Sequence, residues 1–164
     1  MRVIVDGYNL IRQSPSLSQL DRQDMAAGRH RLIEHLAQYQ RIKGHQITVV
    51  FDGWELGGLA QGQERVRGIS VIFSRKGERA DEVIKRMATQ GVVVVTSDRD
   101  LRDFVERAGA TTIGSEDFES RLELAIMADL KGLEEEEEDP VRCKGLARRL
   151  PKARRRREAQ LRKL

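Results

Sequence analysis

The sequence has a single cysteine, Cys143, among 164 residues. One thiol rules out an internal disulfide framework and leaves no second thiolate for a zinc-type site. The three histidines, His30, His35 and His45, show no ligand spacing. His30 and His35 stand five apart, off a common helical face, so all three read as structural or exposed. No apolar run approaches the roughly 18 residues that a membrane span requires. Nor does a charged stretch and apolar core open the chain, because Arg2 leads straight into a strand-like run and polar residues return by Arg12. These absences set the expectation of a cytoplasmic protein in reducing surroundings, without membrane contact.

The chain does have charge, unevenly placed. Charged residues make up 34% and apolar residues 39%, a balance that fits one packed domain plus a solvated or partner-binding part. There is no internal repeat and no low-complexity segment before residue 134. Beyond Leu133 comes "EEEEED", then Pro140, then a basic stretch containing "RRLPKARRRR". Eleven of the 30 lysines and arginines, against one acid, lie between Arg142 and Leu164, giving that segment about +10 and the remainder −6. The division expected is therefore one domain over residues 1–133 and a charged tail over 134–164. The tail's arginines suit phosphate neutralisation of a nucleic acid or ribosome, without aromatic residues for base stacking, or else a solvated segment that pairs with "EEEEED".

Apolar periodicity predicts strands at Arg2 to Val5, Gln46 to Phe51, Ile69 to Phe73, Val92 to Thr96 and Thr111 to Ile113. Between the first two, Met25, Leu32, Ile33, Leu36 and Ile42 form a helical stripe. Further helices are expected at Ala80 to Gln90 (Val83, Ile84 and Met87 inward), Asp100 to Ala108 (Leu101, Phe104 and Val105 inward) and Ser115 to Leu130 (Leu122, Ala125 and Ile126 inward). Strands alternating with helices imply an α/β fold with parallel connections. "VVVV", apolar throughout, fits a strand in the middle of such a sheet. Trp54 to Gly68, rich in glycine, reads as loop.

Three strand-like runs end in aspartate: "VIVD" at Asp6, "VVFD" at Asp52 and "VVTSD" at Asp98. One such residue is explained by capping the turn that follows. Three are harder to explain so, because the C-terminal ends of parallel strands share one edge, where ligands bind. "RADE" adds Asp81 and Glu82 at a helix start opening on that edge, although Glu82, like Asp100, also suits an ordinary first-turn acid. Clustered carboxylates repel one another and favour a cation, and all-oxygen ligands favour Mg²⁺ or Mn²⁺. Such ions activate water and stabilise charge on a phosphodiester.

"VDGYNLI", "VVFDG", "RADEVI" and "VVTSDRDL" resemble, in order and spacing, the motifs of the NYN domain, in its YacP-like branch of the PIN-like nuclease superfamily. The resemblance runs from about Arg2 to Leu130. It implies a three-layer α/β/α sandwich with a mostly parallel sheet, Asp6, Asp81 and Asp98 as a catalytic, metal-binding core, and Asn9 and Asp52 as supporting ligand or substrate positions. It also implies endoribonuclease action on messenger RNA in association with the ribosome. Arg79 stands where the family often has threonine, and is either a phosphate contact or a charge that weakens metal binding.

Other residues leave two readings open. Arg99 and Arg102 beside the acidic edge either hold a phosphate or are plain surface residues. Tyr8 either stacks on a base or belongs to the core, and Trp54 is either a loop anchor or a substrate platform. A metal-dependent endoribonuclease leads. The alternatives are an RNA- or ribosome-binding module without catalysis and, lower, a DNA-processing nuclease. A dehalogenase-type phosphatase ranks last, since Tyr8 stands where its second aspartate is needed.

Overall fold

The computed structural model describes residues 1–53, 62–132 and 152–164. Its element order is β1 (Arg2–Asp6), α1 (Gly7–Gln13), α2 (Pro15–Gln23), α3 (Met25–Lys43), β2 (Gln46–Phe51), β3 (Gly62–Val66), β4 (Ile69–Phe73), α4 (Ala80–Met87), β5 (Val92–Val95), α5 (Arg99–Arg107), β6 (Thr111–Ile113), α6 (Ser115–Lys131) and α7 (Lys152–Leu161). The strands form one sheet in the order β3-β4-β2-β1-β5-β6, parallel except for β3, which runs antiparallel to β4. Trp54, Cys143 and "EEEEED" lie outside the described residues.

Alternation along each strand feeds two cores, one on each face of the sheet. Val3, Val5, Val93 and Val95 pack on one face with residues of α1, α2, α3 and α6; Ile4, Val50, Val92 and Val94 pack on the other with α4 and α5. A strand buried on both faces needs an apolar residue at every position, which "VVVV" supplies. β5 is interior, though one strand in from the β6 edge; the middle of the sheet belongs to β1 and β2.

The predicted strands and the long helices occur close to their expected bounds. α4 stops at Met87, before Gln90, and Met25 on α3 is 37% exposed. Three helices and a strand lie beyond the sequence reading. α1 is seven residues long, too short to show a repeating stripe. Ser14 ends α1 and caps α2 by accepting from Leu17 N (3.2 Å), with Pro15 at the first helical position; Asp24 likewise ends α2 and caps α3 through Ala26 N (2.8 Å). β3 lies inside the segment read as loop, because "GQERV" on a sheet edge has no apolar alternation to betray it.

The charged tail separated from the domain in the sequence is, over its described residues, packed back on it. Leu164 is 3% exposed. The Tyr39 hydroxyl donates to the main-chain oxygen of Leu164, His45 Nε2 donates to that of Lys163 (2.8 Å) and Arg121 Nη1 to that of Leu161 (2.7 Å). Beside β6, Thr111 bonds Gln160 and Arg157 pairs with Glu106 at 3.2 Å.

Both "DG" steps are steric necessities. A Cβ on Gly7 would stand 2.2 Å from Cε1 of Phe51, a ring fixed by edge contact with Tyr8 and stacking on Phe73. On Gly53 it would stand 1.9 Å from the Ser74 carbonyl oxygen. Gly7→Ala is expected to lower stability by about 2 kcal/mol through overpacking; urea unfolding measures it, and an unchanged midpoint would show that Phe51 yields without cost.

Candidate active site

The parallel register decides where the carboxylates meet. Asp6 lies opposite Val50 of β2, and Val5 lies opposite Val95 of β5, so Asp52 and Asp98 follow from strands that flank β1 on either side. α4 begins at the same edge after β4, and brings Asp81 in its first turn. Sequence reasoning anticipated this convergence of Asp6, Asp52, Asp81 and Asp98.

Each strand-end aspartate also does the capping that the bland reading assigned to it. Asp6 Oδ1 accepts from Asn9 N at 3.2 Å, Asp98 Oδ1 from Leu101 N at 2.9 Å, and Asp52 Oδ1 from Ala80 N at 2.7 Å. Capping uses one oxygen of each. Among the described residues the second oxygens of Asp52 and Asp98 have no hydrogen-bond donor, while Asp6 Oδ2 accepts from Thr96 Oγ1 at 3.3 Å.

Asp6 is 7% exposed. Burial, reinforced by the charges of Asp81 and Asp52, pushes its carboxyl up to about 6, against the opposing hydrogen bonds from Asn9 and Thr96. Asp81 is raised as well, first by burial and then by the charges of Asp98 and Asp52, with Arg79 and Lys85 pulling the other way. Arg79, mostly exposed, reaches Asp81 Oδ2 at 3.1 Å. Asp6 and Asp81 thus feel neighbouring acids across the edge. Glu82 turns away to Lys85 (2.9 Å), and Asp100 is exposed.

A frame of hydroxyls, missed in the sequence, and of the Asn9 amide, expected there as a ligand or substrate position, holds these groups. Thr96 is fully buried; besides donating to Asp6 it accepts from Asp98 N at 3.2 Å, so one side chain sets both aspartates. Asn9 Oδ1 accepts from Ser97 N (2.8 Å) and Ser115 Oγ (2.7 Å), and Ser115 N donates to Ser97 Oγ (3.0 Å). Asn9 therefore ties the β1, β5 and β6 exits together, with its oxygen spent on the protein. Ser74 does the same for Asp52, accepting from Gly53 N (3.0 Å) and donating to the Glu78 carbonyl (2.8 Å). The signal lay in hydroxyl residues at helix starts, "TSD" and "GSED".

Of the remaining expected site residues, Tyr8 is in the core. It is 5% exposed, its ring edges against Phe51 and its hydroxyl accepts from Arg29 at 2.8 Å, so it is not open for stacking on a base. Arg99 is exposed and Arg102 half-buried on the first turns of α5; among the described residues neither has an acidic partner.

The donor set is four carboxylates, whose chemistry suits a hard divalent cation. Among the described residues no three His, Cys, Asp or Glu side chains are gathered into a complete ligand set. Such a site fits a cation that keeps most of its water and touches one or two carboxylates, the usual manner of Mg²⁺.

Comparison with known proteins agrees with the topology. The family model described as the YacP-like NYN domain matches residues 3–163, so the match continues past Leu130 into the terminal helix. The uncharacterized protein YacP of Bacillus subtilis (strain 168) is 38% identical over 86 residues, 52% of this chain; the match spans about half of that relative's length, 50%. The crystal structure of Rae1 (YacP) from Bacillus subtilis superimposes with a TM-score of 0.67 at 30% identity, covering 81% of this chain and 79% of that one. A mutant of the same protein gives 0.68 at 28%, covering 79% of each chain. A mostly parallel six-stranded sheet between helical layers, with its acids at one edge, and a family match over nearly every residue make this chain a member of the YacP-like NYN domain family, with a nuclease-type fold.

Proposed function

We propose that the protein is a divalent-metal-dependent endoribonuclease that hydrolyses RNA phosphodiester bonds. The observation that carries this reading is the meeting of Asp6, Asp52, Asp81 and Asp98 at one sheet edge, with the Asp6 carboxyl buried among them. Capping by itself does not call for acids close enough to repel one another, and perturbed groups of this kind concentrate at functional sites. Mg²⁺ or Mn²⁺ would sit among Asp6, Asp52, Asp81 and Asp98, touching one or two of these carboxylates directly, and would supply, when bound, an activated water and charge stabilisation at the phosphodiester. Thr96 and Asn9 keep the aspartates in place. Arg99 and Arg102 stand ready for the phosphate, and Arg79 neutralises Asp81 until a cation or phosphate takes over. The substrate we infer is ribosome-associated messenger RNA, supported by the family resemblance and by the +10 segment from Arg142 to Leu164.

A second reading, an RNA- or ribosome-binding module without catalysis, is favoured by one observation: the acids form no ready ligand set among the described residues. New RNA 5′ ends separate the two. An mRNA, naked or under translation, is incubated with wild type or Asp98→Asn in Mg²⁺, Mn²⁺ or chelator. Cuts requiring both the ion and Asp98 are expected. Bound but uncut RNA in every setting would leave the binding module.

Stability offers an independent test. Asp6 titrates near 3.8 when unfolded and about 6 when folded. The native state therefore holds this proton more tightly, and stability falls as pH rises from about 4 to about 6. The shift of about two units corresponds to a loss of order 3 kcal/mol. Asp6→Asn keeps the cap without the charge, so it is expected to lack cleavage and yet unfold at higher urea than wild type at pH 7.5, with the difference vanishing near pH 4. Equal midpoints at both pH values would mean that burial of Asp6 is not costly.

A further inference from the structure

The helical period assigned Phe104 to the inward stripe of α5 with Leu101 and Val105. Those two are buried, but Phe104 is 46% exposed. Its neighbour across the surface is Lys85 of α4, whose ammonium lies 5.4 Å from the ring centroid and pairs with Glu82 at 2.9 Å. Both helices begin at the carboxylate edge and pack together through Val83, Ile84, Leu101 and Val105. Lys85 comes four residues after Asp81, and its charge is felt there. Phe104 comes six residues after Asp98, about 9 Å along the helix axis, with Asp100 one turn before it on the same stripe. A half-exposed aromatic ring, with the Glu82-paired Lys85 ammonium over it, therefore lies on the surface where α4 and α5 meet, about 9 Å along α5 from Asp98.

We propose that Phe104 and Lys85 form a nucleobase subsite. The ring stacks on an unpaired base of the strand that enters the carboxylate edge, and the Lys85 ammonium meets the neighbouring phosphate. The placement of this subsite relative to a scissile bond rests on the nuclease reading above. Several features point to a base as occupant. A cation beside an aromatic face matches a nucleotide, which presents a π-face and an anion together. Arg99 and Arg102 lie on the other flank of α5 by the helical period, where they are placed to follow the backbone. Stacking of this kind tolerates any base but requires it to be unpaired, so the substrate class is single-stranded RNA.

The test uses the full chain carrying Asp98→Asn and a short unstructured oligoribonucleotide in which one position at a time is abasic. At one position, loss of the base is expected to weaken binding about ten-fold. Adding Phe104→Ala should weaken the intact strand by a similar factor and abolish sensitivity to that abasic position. Phe104→Tyr should restore both, and Phe104→Leu, which keeps an apolar side chain, should not. Affinity and abasic sensitivity unchanged in Phe104→Ala would overturn the subsite, as would a change of oligomeric state in light scattering with RNA affinity intact. The two readings fail separately: wild type that leaves RNA uncut with either ion would sink the nuclease, whereas the base-dependent binding stands or falls on Phe104 alone.

Discussion

The Asp6 carboxyl has given up most of its hydration at the end of the central strand, and the rest of the edge is arranged around that cost. β1 is locked in register between β2 and β5, so this group has nowhere else to go. Its position fixes the distance at which Asp52 and Asp81 are felt, and their charges add to the penalty of burial. Backbone and hydroxyl donors offset part of it. What remains is a local deficit of positive charge, which a cation can fill and which the fold itself leaves open.

Thr96 shows how narrow the tolerance is. Its hydroxyl proton goes to Asp6 and its oxygen receives the Asp98 amide, so two acids from different strands share one rotor. Asn9 plays the wider part, joining three strand exits through a single amide oxygen. The acids supply charge; these neutral groups supply its placement.

Much of this was legible in the residues. β-branched runs marked five of the six strands, because central parallel strands must be apolar on both faces. Aspartates at three run ends marked the edge where the carboxylates meet, because parallel strands finish on one side. β3 escaped because an edge strand with exposed Gln63, Glu64 and Arg65 carries no apolar rhythm, and α1 because two turns cannot display a period. Phe104 was misplaced for a different reason. A period of 3.6 assigns a residue to a side of the helix, but the width of the groove against α4 decides whether that side is covered. Tyr8, open in the sequence between a base and the core, belongs to the core, because Gly7 lets α1 close upon Phe51.

The sheet has two lateral ends, and they are finished by different means. At one, β3 shows charged side chains to the solvent; at the other, β6 is flanked by α7, whose Arg157 and Gln160 reach to Glu106 and Thr111. An open strand edge is a template for pairing with a foreign chain, and charge or cover is what denies it. β6 precedes α7 in the sequence, so a chain still emerging during synthesis carries an uncovered edge until residues 152–164 arrive. Over its described residues, α7 thereby covers part of an edge that would otherwise be open to a foreign strand.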